Sequence, residues 1–536
     1  MLTRARISLL IFMILAGLAF WGFVKWPTSY IPSEDMGYFV TSVQLPTGAS
    51  LERTEKVVRQ LAGEIEELPE VKNVMTISGF SLMGGGASSN GGTVMVMLKP
   101  WKDRGRKGTV DKVIEKVNAL SQKFQSAMIF SVNPPAIPGL GMSSGLEMNI
   151  LDINSLGPAE MLKAIDALRR AVAEDPRLES LTTKYQGLVP QYQLDIDREK
   201  AMSQGLQLAD IFNTLSGYMG GNYVNDFVDF NRVFQVRLQG DMTVRGNIED
   251  VIRLSVRNSE GKMVPFSSFT SLKPVMGESS VNRYNMYQSA SVTVTPAKGV
   301  SSSEGIKAME ELMGSTLGKN YSYAWTGMAY QETQSGTTIS FVFLFAIIMT
   351  ILVLAAQYES WTDPLAVILA TPIAILGTIA GCIFMSQPIS IYTQIGLILL
   401  IGMSAKNAIL IVEYAINFRK NGNSIRQSAH DAGVVRFRPI MMTALAFVFG
   451  VMPMMFATGA GANSRIELGT AVVFGMAMNA FIGTLFVPNF WELMQTLKEK
   501  YLSGLFKDPA PVSDSSAAGE SLLPGEENKK DSGDKA

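Results

Sequence analysis

Three side chains in the stretch GMSAKNAILIVEYA, Gly402 to Ala415, can carry charge or proton chemistry: Lys406, Asn407 and Glu413. All three sit in an apolar run from Ile391 to Ile416, long enough to cross a bilayer as a helix. In a helix, about 15 Å separates Lys406 from the nearer end of the run. The ammonium cannot cover that distance to water along the helix, so another group must answer its charge. Glu413 lies seven residues on, on roughly the same face, but about 10 Å is long for a direct ion pair. Asn407 can equally serve as hydrogen-bonding glue to a neighbouring helix. An intramembrane lysine of this kind reads as part of an ion or proton pathway.

Little in the chain competes with that chemistry. A single cysteine, Cys382, in an apolar run excludes an intramolecular disulfide and a cysteine-based metal site. A single histidine, His430, is expected in a polar loop and does not make a His-rich metal site. The glycine-rich stretch SGFSLMGGGASSNGG, Ser78 to Gly92, has no Lys-Ser/Thr pair after it, which argues against a nucleotide loop. No catalytic triad is visible. No catalytic residue, cofactor or resident metal is expected, and the net charge of −1 gives no basic field for nucleic acid.

The elements that must hold the lysine follow from composition. Of 536 residues, 47% are hydrophobic and 17% charged, with a mean hydropathy of +0.18. This fits a chain that is part membrane and part aqueous. Six segments are long and apolar enough to span: 7–26, 338–356, 364–385, 391–416, 439–457 and 467–490. No aspartate lies in these ranges, and the acids they hold are Glu413 and, at a span edge, Glu467. The first segment is longer than a usual signal h-region and has no small-residue cleavage site, so it reads as an anchor. Arg4 and Arg6 precede it, Arg419, Lys420, Arg426, Arg436 and Arg438 fall between the fourth and fifth segments, and Lys498 and Lys500 follow the sixth. By the positive-inside rule both termini are expected to be cytoplasmic and residues 27–336 exported. The tail from about 503 is polar and reads as disordered.

The exported stretch repeats a strand, a helix and a strand. YFVTSVQLPTGAS, LERTEKVVRQLAGEIEEL and VKNVMTISGF form one set; LEMNILDI, GPAEMLKAIDALRRAVAED and RLESLTTKY a second; SASVTVTPA, SSSEGIKAMEELMGSTL and NYSYAWTG a third. Such units bury one sheet face under helices, predicting an α+β fold. Residues 188–277 differ in pattern and are expected to be a separate inserted subdomain. The glycine-rich stretch is read either as a flexible surface hairpin or as a mobile gate presenting Phe80, Leu82 and Met83.

With these motifs in place, the chain closely resembles the later half of an inner-membrane pump of the resistance-nodulation-division superfamily, in its hydrophobe/amphiphile multidrug branch. The motifs are GMSAKNAILIVEYA, RFRPIMMTALAFVFGVMPMMFATGAG, AAQYESWTDPLAVILATPIAILG, GGNYVNDF and VPFSSF, and the match runs to about residue 495. The resemblance implies an α-helical membrane domain of six spans plus α+β periplasmic porter and docking subdomains. In order these are a first span in 1–26, a first porter subdomain at 38–138, and a second porter subdomain split as 139–187 and 278–331 around a docking subdomain at 188–277. Five further spans follow in 338–490, then a tail at 503–536.

It further implies a proton-driven exporter of drugs, detergents or other amphiphiles in the bacterial inner membrane. Such pumps work as trimers with a periplasmic adaptor and an outer-membrane channel. The family lysine matching Lys406 pairs with two aspartates on the fourth span of the earlier repeat, which this chain does not contain. Arg436 and Thr443 match its relay positions. Met75, Ile77, Phe80, Leu82 and Met95 match its deep pocket, and Gly84, Gly85 and Gly86 its switch loop. An N-terminal half is therefore the expected partner. Two other readings stand beside this one: a copper or silver exporter, from Met75, Met83, Met95 and Met97, and a non-transporting remnant or assembly subunit, from the missing aspartates.

Overall fold

In the computed structural model, residues 5–81, 86–105 and 108–502 are described. The chain divides into two compact units, one of residues 1–36, 301–304 and 331–536, the other of 37–300 and 305–330.

Among the described residues, the first unit holds six helical segments long and apolar enough to cross a membrane: Arg6–Lys25, Phe341–Tyr358, Thr362–Met385, Ile391–Lys420, Ile425–Phe456 and Ala462–Lys500. We call these the first to sixth spans. The fourth is one unbroken helix whose start is set by Ser390, whose hydroxyl accepts from the Thr393 N–H. Small residues let its neighbours approach closely. A Cβ on Gly377 of the third span would lie 2.5 Å from Met478 Cβ, and one on Gly475 of the sixth would lie 2.3 Å from Leu400 of the fourth.

Three features differ from the sequence reading. The third span opens two residues earlier than hydropathy alone implies, as Thr362–Ile368 and then Thr371–Met385, with Pro372 in the first turn of the second piece. An aspartate, Asp363, is therefore buried in its first turn. The basic stretch before the fifth span is helix, not loop: the helix runs Ile425–Val451 from a Ser424 cap, leaving Asn421–Ser424 as the connection. His430 accordingly lies in a helix, exposed, 3.0 Å from Asp431. The amphipathic character of that first part hides it from a hydropathy window, because charges on one face lower the mean. The reading of 503–536 lies outside the described residues.

In the second unit, the first sheet contains β1 (Tyr38–Gln44), β2 (Val71–Ser81), β3 (Gly86–Leu98) and β4 (Met128–Val132), in the antiparallel order β2-β3-β1-β4. Helix Leu51–Glu66 buries Thr54, Val58, Leu61 and Ile65, spaced three or four apart, against this sheet. Helix Val110–Ser121 covers the same core through Val110, Val113 and Val117. The chain then forms β5 (Leu146–Asp152), helix Pro158–Glu174 and β6 (Leu178–Thr183).

An intervening region follows, with β7 (Leu188–Ile196), β8 (Asn222–Asp229), β9 (Arg232–Leu238), β10 (Ser255–Arg257), β11 (Met263–Pro265) and β12 (Thr270–Glu278). Here β7 pairs with β12, β8 with β9 and β10 with β11, around a small core that includes Ile211, Phe266 and Phe269. The β8–β9 hairpin is exposed along both strands, with the Phe227 and Phe234 rings stacked at 5.4 Å. The chain returns as β13 (Arg283–Tyr284), β14 (Tyr287–Pro296), helix Ser302–Thr316 and β15 (Tyr321–Thr326). β14 pairs with β5 on one side and with β6 and β13 on the other, and β15 pairs with β5. Ile165 and Leu168 of one helix and Met309 of the other fill the core of this second sheet.

Candidate functional site

The fourth span has two faces. Gly396, Leu400, Ser404, Ala408, Ile411 and Ala415 are buried against other spans. On the other face Ile395, Leu399, Gly402, Lys406 and Glu413 are exposed, at steps of four, three, four and seven that keep them in one stripe. Lys406 thus projects from a face that the described residues leave uncovered, and it makes no hydrogen bond or ion pair among them. Glu413 shares the stripe, and no ion pair joins the two. Asn407 turns the other way: it is 4% exposed, and its side-chain nitrogen has no hydrogen-bond partner among the described residues.

Arg436 on the fifth span reaches the same helix. Its guanidinium carbon sits 3.5 Å from the centroid of the Tyr414 ring, a half-buried cation–π contact. Tyr414 lies eight residues beyond Lys406, roughly 12 Å along the axis. Thr443, seven residues beyond Arg436, is exposed and donates from its hydroxyl to the Ile440 carbonyl at 3.0 Å. Pro439 lies between them and has no N–H for the Val435 carbonyl one turn earlier. The structure therefore brings Arg436 to the lysine helix through Tyr414. It records no contact among Lys406, Arg436 and Thr443 themselves. Tyr414 was missed in the sequence, where its one signal is an aromatic on the helix that carries the lysine.

The other candidates sit on the first sheet. Met75 of β2 pairs with Met95 of β3, which pairs with Val40 of β1, which pairs with Val132 of β4. The next row on the same face is Ile77, Thr93, Ser42 and Phe130. The alternate residues Val94 and Val96 point into the helix-covered core. Met75, Ile77 and Met95 thus share the face away from the helices, with Met75 and Ile77 exposed. Phe130, legible only through the alternation in MIFSV, belongs to this face as well. Phe80 comes after a bulge at Gly79, where φ is +81° and a Cβ would lie 2.8 Å from Leu51. It pairs with Ala87, and its carbonyl accepts from the Thr93 hydroxyl at 2.9 Å.

The glycine-rich stretch is mostly strand. Ser81 pairs with Gly86 and Ser78 with Gly92, so the connection is confined to residues 82–85. Leu82, Met83, Gly84 and Gly85 lie outside the described residues. Gly86 opens β3, with nothing within 4 Å of its added Cβ position, whereas a Cβ on Gly92 would meet Val58 at 2.5 Å. Gly92 is there for close helix packing.

Residues 1–495 match the model of the AcrB/AcrD/AcrF family. The chain is 37% identical over 487 residues to the toluene efflux pump membrane transporter TtgB of Pseudomonas putida, covering 90% of this chain and 46% of that protein. It is 37% identical over 499 residues to the multidrug export protein AcrF of Escherichia coli, covering 92% and 48%, and 34% identical over 502 residues to the multidrug resistance protein MdtF of Escherichia coli, covering 92% and 48%. The chain spans about half the length of these relatives. A lysine-bearing fourth span, a helix-covered sheet with an open apolar face and a family match running from the first span through the sixth lead to one assignment: the chain belongs to the AcrB/AcrD/AcrF family.

Proposed function

We propose that this chain forms the later half of a proton-driven efflux transporter of the inner membrane, exporting drugs, solvents or other amphiphiles. The observation that carries the reading is Lys406, a cation deep in an apolar helix on a face the described residues do not cover. An unpaired charge in hydrocarbon is costly, so that face requires a partner with carboxylates. The partner is a second set of six spans carrying paired aspartates, on a separate chain or on the remainder of a longer one. Protons binding those aspartates weaken their attraction for Lys406, and the change in pairing is the switch that drives transport. Arg436 and Thr443 continue the path along the fifth span.

The face lined by Met75, Ile77, Met95 and Phe130 receives the apolar part of the substrate, with Phe80 and Leu82 as further substrate contacts and Gly84, Gly85 and Gly86, the last of which opens β3, acting as the switch segment. Methionine adapts to ligands of varied shape, which fits a broad substrate class. Both termini are cytoplasmic and 38–331 is periplasmic, divided into two porter subdomains and a docking subdomain. A trimer joined to a periplasmic adaptor and an outer-membrane channel follows from the family, and the uncovered β8–β9 hairpin supports an assembled state.

The test is to produce the chain in efflux-deficient cells with and without a six-span half carrying paired intramembrane aspartates, and to follow dye extrusion. Extrusion is expected only when both halves are present. Proton-coupled extrusion by the chain alone would remove the need for the partner.

A further inference from the structure

A second buried acid lies away from the lysine stripe. Glu467, in the second turn of the sixth-span helix, is 4% exposed, and its Oε2 has no hydrogen-bond partner among the described residues. The Ser390 hydroxyl, at the start of the fourth span and fully buried, faces the carboxyl. Thr470, one turn on along the same helix face, is also fully buried with its hydroxyl unpartnered.

Among the described residues, the charged and titratable groups around Glu467 offer it no cation. Cys382 of the third span, paired with Thr393 of the fourth, is a neutral neighbour. Glu34, from the segment after the first span, is a second acid near it. The fifth span contributes Met454 and Met455 beside Gly469. Arg465, on the same helix, donates instead to the carbonyls of Thr458, Ala460 and Gly461.

The two acids differ in how they are held. Glu34 accepts from the N–H groups of Asn463 and Ser464 at 3.1 and 2.7 Å and from the Ser464 hydroxyl, so the first turn of the sixth-span helix satisfies it. Glu467 has no such donors for Oε2. A buried carboxylate with one oxygen unpartnered, no cation and another acid nearby is a high-energy arrangement that one proton removes.

We propose that Glu467 is a proton-binding site of this chain, separate from the Lys406 face, with the Ser390 hydroxyl as its hydrogen-bond partner. This half then holds a protonatable carboxyl of its own at the end of the spans that carries Glu34. Its use in transport rests on the proton-driven reading above, but the bound proton can be read without any transport.

The experiment is infrared spectroscopy of the purified full chain in lipid bilayers at neutral pH, comparing wild type with Glu467→Gln. The expected result is a protonated-carboxyl C=O band in wild type that is missing in Glu467→Gln, moves to lower frequency in D2O and disappears on alkalinisation. Identical carboxyl bands in the two proteins would overturn the proposal. Should Glu467→Gln fail to insert, Ser390→Ala gives a second reading. Loss of the hydroxyl partner is expected to shift the band frequency, and an unmoved band would also overturn it. Absence of dye extrusion by the chain paired with its aspartate-bearing half, with an intact band, would count against the transport reading alone.

Discussion

The guanidinium of Arg436 lies over the Tyr414 ring, 3.5 Å from its centroid, linking the fifth span to the helix that bears Lys406. A half-buried contact of this kind is worth about 1 kcal/mol and biases where the arginine points. Tyr414→Leu is expected to lower dye extrusion by the paired pump several-fold at equal expression, whereas Tyr414→Phe keeps the ring and most of the activity. Equal extrusion by the Leu and Phe variants would show that the ring does not position Arg436.

Two glycines of the glycine-rich stretch differ in how tightly they are packed. Gly92→Ala places a methyl 2.5 Å from Val58 Cγ2 and is expected to cost about 1–3 kcal/mol of stability through overpacking. Gly86→Ala meets open space and is expected to leave the melting temperature unchanged. Calorimetry of the two variants checks this. If Gly86→Ala nonetheless impairs drug export, its effect is on transport and not on stability.

Glu332, near the start of the helix that becomes the second span, accepts from the hydroxyls of Ser302 and Ser303 at 2.9 and 2.5 Å. Burial pushes its carboxyl above the ordinary value of 4.5, an effect only partly offset by the Ser303 and Ser302 hydroxyls and the Tyr30 N–H. The folded chain therefore binds this proton more tightly than the unfolded chain does. Its contribution to stability is greatest below pH 4.5 and falls as pH rises through the raised native value. Glu332→Gln keeps an acceptor without the charge, so it should raise the melting temperature at neutral pH and make no difference in acid. A stabilisation that is equal at both pH values would contradict the titration.

The two halves of this fold differed in how openly the sequence displayed them. The β1–helix–β2 unit was readable because Val58, Leu61 and Ile65 repeat at helical spacing between two alternating strands. The spans were readable where every face is apolar. They were not where a charged face meets water or another helix, which is why Asp363 and the first turns of the fifth span fell outside the hydropathy windows. Lys406 could be recognised from one charge in an apolar run, but its exposure could not, because that depends on which neighbouring helices are present. The glycines misled for a related reason. Gly92 looks like a loop residue in isolation, and only the approach of Val58 explains it. The partnering of Glu467 was equally out of reach, since Ser390, Cys382 and Glu34 come to it from three distant segments.

On the proposed function, Lys406 is the counter-ion of carboxylates carried by a second set of six spans. The most direct measurement is proton-coupled dye extrusion by the pump assembled with its aspartate-bearing half, comparing wild type with Lys406→Ala at equal membrane abundance. Extrusion by the variant is expected to fall to the level of cells lacking the pump while it still inserts and still assembles with its partner. Extrusion at the wild-type rate by Lys406→Ala would contradict that role.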